Sequence, residues 1–152
     1  SGTANVKLTF KPTAAGDRTA TLTFESDDPG GNRTVDLKGK GAAPKLTIGA
    51  ALDFGERQVG SASAAQSITL KNDGDAELEI TDIGVDLADF ALTIPATAPS
   101  VGAPLKIASG AQSAMSFKFT PAAAGARNGT GTVKSDDPSG DKTVNVKGTG
   151  KT

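Results

Sequence analysis

The sequence contains no cysteine, no histidine, no tryptophan and no tyrosine. Without cysteine there is no disulfide, no thiolate nucleophile and no sulfur ligand for a metal. Without histidine there is no imidazole ligand, no Ser-His-Asp triad and no side chain that ordinarily titrates near neutral pH. Positive charge is not in excess either: the formal net charge is −1. The Lys and Arg residues are spread along polar strand faces. The basic footprint and paired aromatics that mark nucleic-acid binders are therefore missing, and no nucleic-acid partner is expected. No run of 18 apolar residues occurs, so no membrane insertion is expected. No segment carries the 3.6-residue period of an amphipathic helix; Asp86 to Phe90 is expected to form one helical turn at most. The chain starts at Ser1 with neither Met nor a signal peptide, which fits a processed chain or a segment of something longer.

What is present is an internal repeat. Residues 6–41, VKLTFKPTAAGDRTATLTFESDDPGGNRTVDLKGKG, return as residues 115–150, MSFKFTPAAAGARNGTGTVKSDDPSGDKTVNVKGTG. The offset is 109 residues without a gap, and 18 of the 36 positions are identical. Within each copy apolar side chains alternate with polar ones: Val6, Leu8, Phe10; Ala20, Leu22, Phe24; Val35, Leu37. The second copy keeps the phase with Met115, Phe117, Phe119; Gly129, Gly131, Val133; Val144, Val146. Period two with polar outer positions predicts antiparallel strands buried on one face, three to each copy. The turns repeat as faithfully. Ser26-Asp27-Asp28-Pro29 matches Ser135-Asp136-Asp137-Pro138, where Asp and Ser can accept from nearby backbone N–H groups and Pro presets φ.

The 36% hydrophobic content is supplied mainly by aliphatic residues and six Phe, and 19 Gly with 8 Pro point to many short connections, as in an all-β sandwich. Between the copies, residues 42–44 form a short, Pro-stiffened linker. A strand is expected at Lys45 to Ile48. Phe54 and Val59 are candidate core anchors between two glycine turns. Strands follow at Ser67 to Asn72, at Leu78 to Ile83 and at Phe90 to Ile94. Asn72-Asp73-Gly74-Asp75 is a turn signal. Pro95 to Pro104, rich in Ala, Pro and small polar residues, is expected to be an exposed loop, with a strand resuming at Leu105 and Ile107. Residues 45–152 thus make one complete unit of seven or eight strands. Residues 1–41 correspond to only the last three strands of such a unit. Three strands with one apolar face cannot bury that face alone. The missing strands are expected from upstream sequence or from another chain.

Leu52-Asp53-Phe54-Gly55 with Val59-Gly60, then Leu70-Lys71-Asn72-Asp73-Gly74, Asp89-Phe90, Phe119-Thr120-Pro121, Gly125, Ser135-Asp136-Asp137-Pro138 and Val146-Lys147-Gly148-Thr149-Gly150 occur in an order that resembles a known family. It is the ASPM–SPD-2–Hydin (ASH) and choice-of-anchor-D group of immunoglobulin-like domains, relatives of the major-sperm-protein fold. The full set spans residues 45–150 and the C-terminal subset spans residues 6–41. The resemblance implies an immunoglobulin-like β-sandwich in tandem arrays. In bacteria such arrays look like stalks of exported or surface-anchored proteins, and in eukaryotes they occur in ciliary and centrosomal proteins. The family shares no active site, so no functional residue carries over.

Several short motifs lead nowhere. Asp53-Phe54-Gly55 matches the magnesium motif of kinases, but a chain without His has no His-Arg-Asp loop. Gly150-Lys151-Thr152 resembles the end of a P-loop, but Asn145 stands where that loop needs Gly. Asn32-Arg33-Thr34 and Asn128-Gly129-Thr130 are sequons by pattern at non-equivalent positions. Asp27, Asp28, Asp136 and Asp137 are the candidate calcium ligands, although two adjacent carboxylates fall short of the six to eight oxygens Ca²⁺ takes. No cofactor and no enzymatic activity are expected. The leading functional reading is a structural or spacer module of a longer tandem-repeat surface, appendage or filament protein, extracellular or on a bacterial cell surface. A periplasmic location is the alternative, or a ciliary or cytoskeletal one in a eukaryote. Its partners would be neighbouring Ig-like repeats of the same or an identical chain. A second reading is a binding or adhesion module that uses the 95–104 loop and the sandwich-end turns for a protein or glycan. A third is assembly by strand complementation through residues 1–41.

Overall fold

A computed structural model describes residues 2–94 and 98–152 of the chain. The chain divides into two compact units, Ser1–Ala42 and Ala43–Thr152. Among the described residues both are built without helices, from strands and the turns and loops that join them.

The first unit contains two strands, β1 (Gly16–Phe24) and β2 (Arg33–Gly41), paired antiparallel from Gly16↔Gly41 to Phe24↔Arg33. Residues 6–11, expected as a third strand, are not one. The reason lies in the second unit, where the same sequence pattern is a strand held between two others.

Among the described residues that unit has nine strands: β3 (Leu46–Ile48), β4 (Leu52–Gln58), β5 (Gln66–Asn72), β6 (Leu78–Val85), β7 (Phe90–Thr93), β8 (Leu105–Ile107), β9 (Gln112–Phe119), β10 (Gly125–Ser135) and β11 (Lys142–Lys151). β4, where the sequence offers Phe54 only as an anchor between glycine turns, brings the eight expected strands to nine. They form a five-stranded sheet in the order β4-β11-β10-β6-β8 and a four-stranded sheet in the order β3-β5-β9-β7. The three strands of the repeat are therefore divided between the sheets. β10 and β11 form a hairpin in one, while β9 lies in the other between β5 and β7. The first unit has the hairpin but no counterpart of β5 or β7. Residues 6–11 thus have no neighbouring backbone to complete a ladder, and an isolated strand cannot satisfy its N–H and C=O groups within the protein.

The core of the second unit fills the space between the sheets. Leu70, Leu78, Ile80, Met115, Phe117, Phe119, Val133 and Val146 are fully buried. Phe90 stacks on Phe119 at 4.9 Å between ring centroids, and Phe54 lies 5.8 and 6.0 Å from the two, within the range where aromatic pairs gain beyond area alone. Phe54 is aimed into this cluster by a bulge. In the parallel pair β4–β11, Lys147 faces Asp53 and Thr149 faces Glu56, so Phe54 and Gly55 together oppose Gly148. Gly55 takes φ 61° and donates its N–H to the Asp53 carboxylate at 2.9 Å. Such a bulge re-aims the side chain beside it. Val59, expected in the core, is exposed. Its backbone closes the end of the strand instead, donating to the Lys151 carbonyl at 2.8 Å. Residues 86–90 form a turn closed from the Phe90 N–H to the Leu87 carbonyl at 3.1 Å. Pro95 lies outside the described residues, and so do Ala96 and Thr97.

The same repeat positions meet opposite environments. Phe119 is 0% exposed and Phe10 is 53% exposed. Truncating Phe119 to Ala is expected to cost about 3–5 kcal/mol in urea unfolding of the chain. Phe10→Ala should shift the same transition by about 0.5 kcal/mol or less.

Candidate functional site

The repeated Ser-Asp-Asp-Pro turn is a fastener in the second unit. Asp136 Oδ1 accepts from the Glu79 N–H at 2.9 Å, and the Asp136 N–H donates to the Glu79 carbonyl at 3.1 Å. Asp137 is buried. Its Oδ2 accepts from the Leu46 N–H at 2.7 Å, and its Oδ1 accepts from the N–H and hydroxyl of Ser139 at 2.8 and 2.7 Å. Burial pushes the Asp137 carboxyl up, but these donors and the Lys142 ammonium outweigh it and hold the group below the usual range. The two carboxylates join the β10–β11 hairpin to β6 of its own sheet and to β3 of the facing sheet. In the first unit the turn keeps its local half. Asp28 Oδ1 accepts from Gly30 N–H at 2.8 Å, and the Gly31 N–H closes on the Asp28 carbonyl at 2.8 Å. Asp27 and Asp28 are both exposed, and no strand equivalent to β3 supplies a second donor. Among the described residues no three acidic side chains are grouped for a metal ion.

A second fastener is built on Asp89, which the sequence marks only as part of the Asp89-Phe90 motif, without its partner. Asp89, presented by the turn before β7, is buried and accepts a bidentate contact from Arg127, Nε at 2.7 Å and Nη2 at 3.1 Å. It also accepts from the Ala122 N–H at 3.1 Å, and its carbonyl accepts from Thr120 N–H at 2.8 Å. The Arg127 guanidinium is the main reason the Asp89 carboxyl stays below the usual range. A signal was available: Arg is identical at positions 18 and 127 of the repeat, and one of the two needs a carboxylate to be buried beside. Two polar residues escaped notice as well. Asn72, read as opening a turn, is fully buried. Its amide oxygen accepts from Lys45 and Gly74 N–H, and its amide nitrogen donates to the Ala76 and Ile107 carbonyls. Ser63 accepts through its hydroxyl from the Phe119 N–H at 2.9 Å.

The first unit carries a trough of about 550 Å³, lined by Leu8, Phe10, Arg18, Ala20, Leu37 and Gly39. Phe10 packs against Gly39 so closely that a Cβ there would stand 2.7 Å from the ring. The equivalent pair, Phe119 and Gly148, gives 2.4 Å. Arg18 donates to the Ala15 carbonyl at 3.2 Å; among the described residues no carboxylate is paired with it. The 95–104 loop, where described, is a tight turn with Ser100 and Ala103 hydrogen-bonded to each other in both directions at 3.1 Å, and Val101 at its tip is 87% exposed.

No protein-family model matches the chain, and no curated protein does. Solved structures do resemble it. A protein of unknown function from Porphyromonas gingivalis W83 superposes with a TM-score of 0.57 at 13% identity, over 91% of this chain and 68% of the other. The ASH/PapD-like domain 7 of human CEP192 gives 0.52 at 14% identity, over 72% of this chain and 87% of that domain. The secreted serine protease VesC from Vibrio cholerae gives 0.51 at 16% identity, over 69% of this chain and 23% of the protease. At these identities the likeness is one of fold. The chain has the immunoglobulin-like β-sandwich of the ASH and PapD-like domains, the fold its sequence motifs suggest.

The Asp89–Arg127 pair gives a pH signature. Because the folded carboxyl lies below its unfolded value, its stabilisation is whole above about pH 4 and is lost as the pH falls through the folded value. Asp89→Asn is expected to cost about 1.5–3 kcal/mol near neutral pH. In denaturant titrations at stepped pH, the gap between variant and parent should narrow as the pH is lowered through that range.

Proposed function

We propose that this chain is a non-catalytic structural module, one segment of an array of β-sandwich repeats that spaces or assembles other parts of a larger protein. The observation that carries the reading is the recurrence of one packing solution 109 residues apart. Phe10 sits on Gly39 as Phe119 sits on Gly148, and the two hairpins share a register from Gly16↔Gly41 and from Gly125↔Gly150. On this reading residues 1–41 are the C-terminal half of a repeat and residues 45–152 are a whole one.

The joint supports a spacer. Gly41 is the last paired residue of β2. Ala43 is already fixed in the second unit, its carbonyl accepting from the Asp75 and Ala76 N–H groups at 3.0 and 3.3 Å. Only Ala42 lies between them, and Pro44 follows Ala43, so the joint itself is short and Pro-stiffened. Of the paired Asp residues, Asp28, Asp136 and Asp137 are occupied by backbone donors, and the absence of His and Cys removes the usual nucleophile–base pairs. A location outside a bacterial cell, with neighbouring repeats as partners, fits this role. A second reading, adhesion to a protein or glycan through the 95–104 loop, is favoured by the exposed Val101 on its rigid turn.

Small-angle scattering tests the spacer. Inserting a flexible Gly/Ser segment after Ala42 should broaden the distribution of interatomic distances relative to the parent chain. A parent profile as broad as that of the insertion variant would remove the reading.

A further inference from the structure

The second unit shows what the first unit's trough is shaped to hold. Phe90 of β7 stacks on Phe119 and lies against the position of Gly129, where a Cβ would meet its ring at 3.0 Å. Asp89, one residue earlier, is clamped by Arg127. β7 then pairs antiparallel with β9 as Phe90↔Phe119, Ala91↔Lys118, Leu92↔Phe117 and Thr93↔Ser116. Subtracting the repeat offset carries Phe119, Phe117 and Arg127 onto Phe10, Leu8 and Arg18. In the first unit each of these stands ready without its partner. Phe10 and Leu8 are half exposed, Arg18 is paired with no carboxylate among the described residues, and residues 7–10 belong to no ladder.

We infer that the trough is a docking site for an extended β7-like segment, one in which an acidic residue directly precedes a large apolar residue. The acid binds Arg18. The apolar side chain sits on Phe10. The strand that follows adds antiparallel to residues 7–10, placing its next inward side chain over Leu8. Main-chain bonds along the added strand supply affinity, and the Arg18 and Phe10 subsites supply specificity and register. A guanidinium fork suits a carboxylate better than any neutral acceptor. The apolar lining differs at Leu8, where the second unit has Phe117, at Leu37, where it has Val146, and at Ala20, where it has Gly129. A Cβ at the Gly129 position would stand 3.0 Å from a ring placed as Phe90 is, so the Ala20 methyl favours a slimmer aliphatic side chain over a phenyl ring in that place. The inference rests on reading residues 1–41 as half of a repeat.

The test uses the full chain and two synthetic peptides with blocked termini. One has the sequence of residues 86–94, DLADFALTI, and the other is its F90L form. Amide shifts are followed by NMR. At least one peptide is expected to perturb residues 6–11 and 17–21, with Arg18→Ala weakening binding about tenfold, and a peptide carrying D89N losing the same factor. No saturable shift up to about 1 mM of either peptide overturns the proposal. So does binding indifferent to Arg18→Ala, or shifts centred on Phe119 and Arg127. Self-association of the chain through residues 7–10 without peptide would make a second copy the occupant and overturn it too. A negative result with the β1–β2 amides still protected from exchange removes the occupant but leaves the half-repeat reading standing. Unprotected β1–β2 amides would remove that reading itself.

Discussion

A phenyl ring pressed onto a strand that has no side chain at that point is the contact on which the sandwich depends. At Gly148 a Cβ would stand 2.4 Å from the Phe119 ring, and at Gly39 one would stand 2.7 Å from Phe10. Real Cβ atoms do not approach so closely, so each position admits glycine alone unless the ring is displaced. Next to it, Gly150 and Gly41 meet the carbonyls of Ala123 and Ala14 in the same way, at 2.1 Å in both. The Gly-x-Gly that ends each copy is thus a seat for the chain that crosses over it. In the second unit the bulge that turns Phe54 inward lies opposite this same Gly148. One close approach therefore sets the spacing of the sheets and gathers three of the six Phe residues.

Polar groups then join what the apolar core cannot orient. Asp137 reaches the facing sheet at Leu46, Asp89 ties β7 to Arg127, and Asn72 satisfies four backbone groups from its side chain. Buried polar atoms left without partners would cost more than such bonds return. Among the described residues none is left so. By contrast the ion pairs of the outer faces, such as Lys106 with Glu77 and Glu79, are exposed and contribute little to stability.

The parts of this arrangement legible in the sequence are those with a period. Alternation marked β5, β6, β9, β10 and β11, and the repeat marked the hairpin and its turns. Alternation could not reveal which sheet a strand joins, because that is decided by non-local pairing. Residues 6–11 have the pattern of a strand and lack only the neighbours that make one. Val59 was misplaced because an apolar residue between two glycines reads as an anchor, whereas the chain there is already leaving the core. The candidate site was less visible. Asp89, Arg127, Asn72 and Ser63 are single polar residues whose meaning comes from partners 35 or more positions away in several cases. Asp89 and Asn72 stand within the motifs that resemble the ASH family, and the recurrence of Arg at 18 and 127 hints at the partner of Asp89. The Asp pairs were visible as turn residues, and their reach to β3 and β6 was not.

The central claim is that both units are built on one contact of a phenyl ring on a glycine, lying between two sheets in the second and half exposed in the first. Nuclear Overhauser effects test it most directly. The account predicts cross-peaks from the Phe119 ring to the Gly148 α-protons and from the Phe10 ring to the Gly39 α-protons, with both glycines shifted upfield by the ring above them. Gly39 α-protons at random-coil positions, with no cross-peak to Phe10, would contradict it.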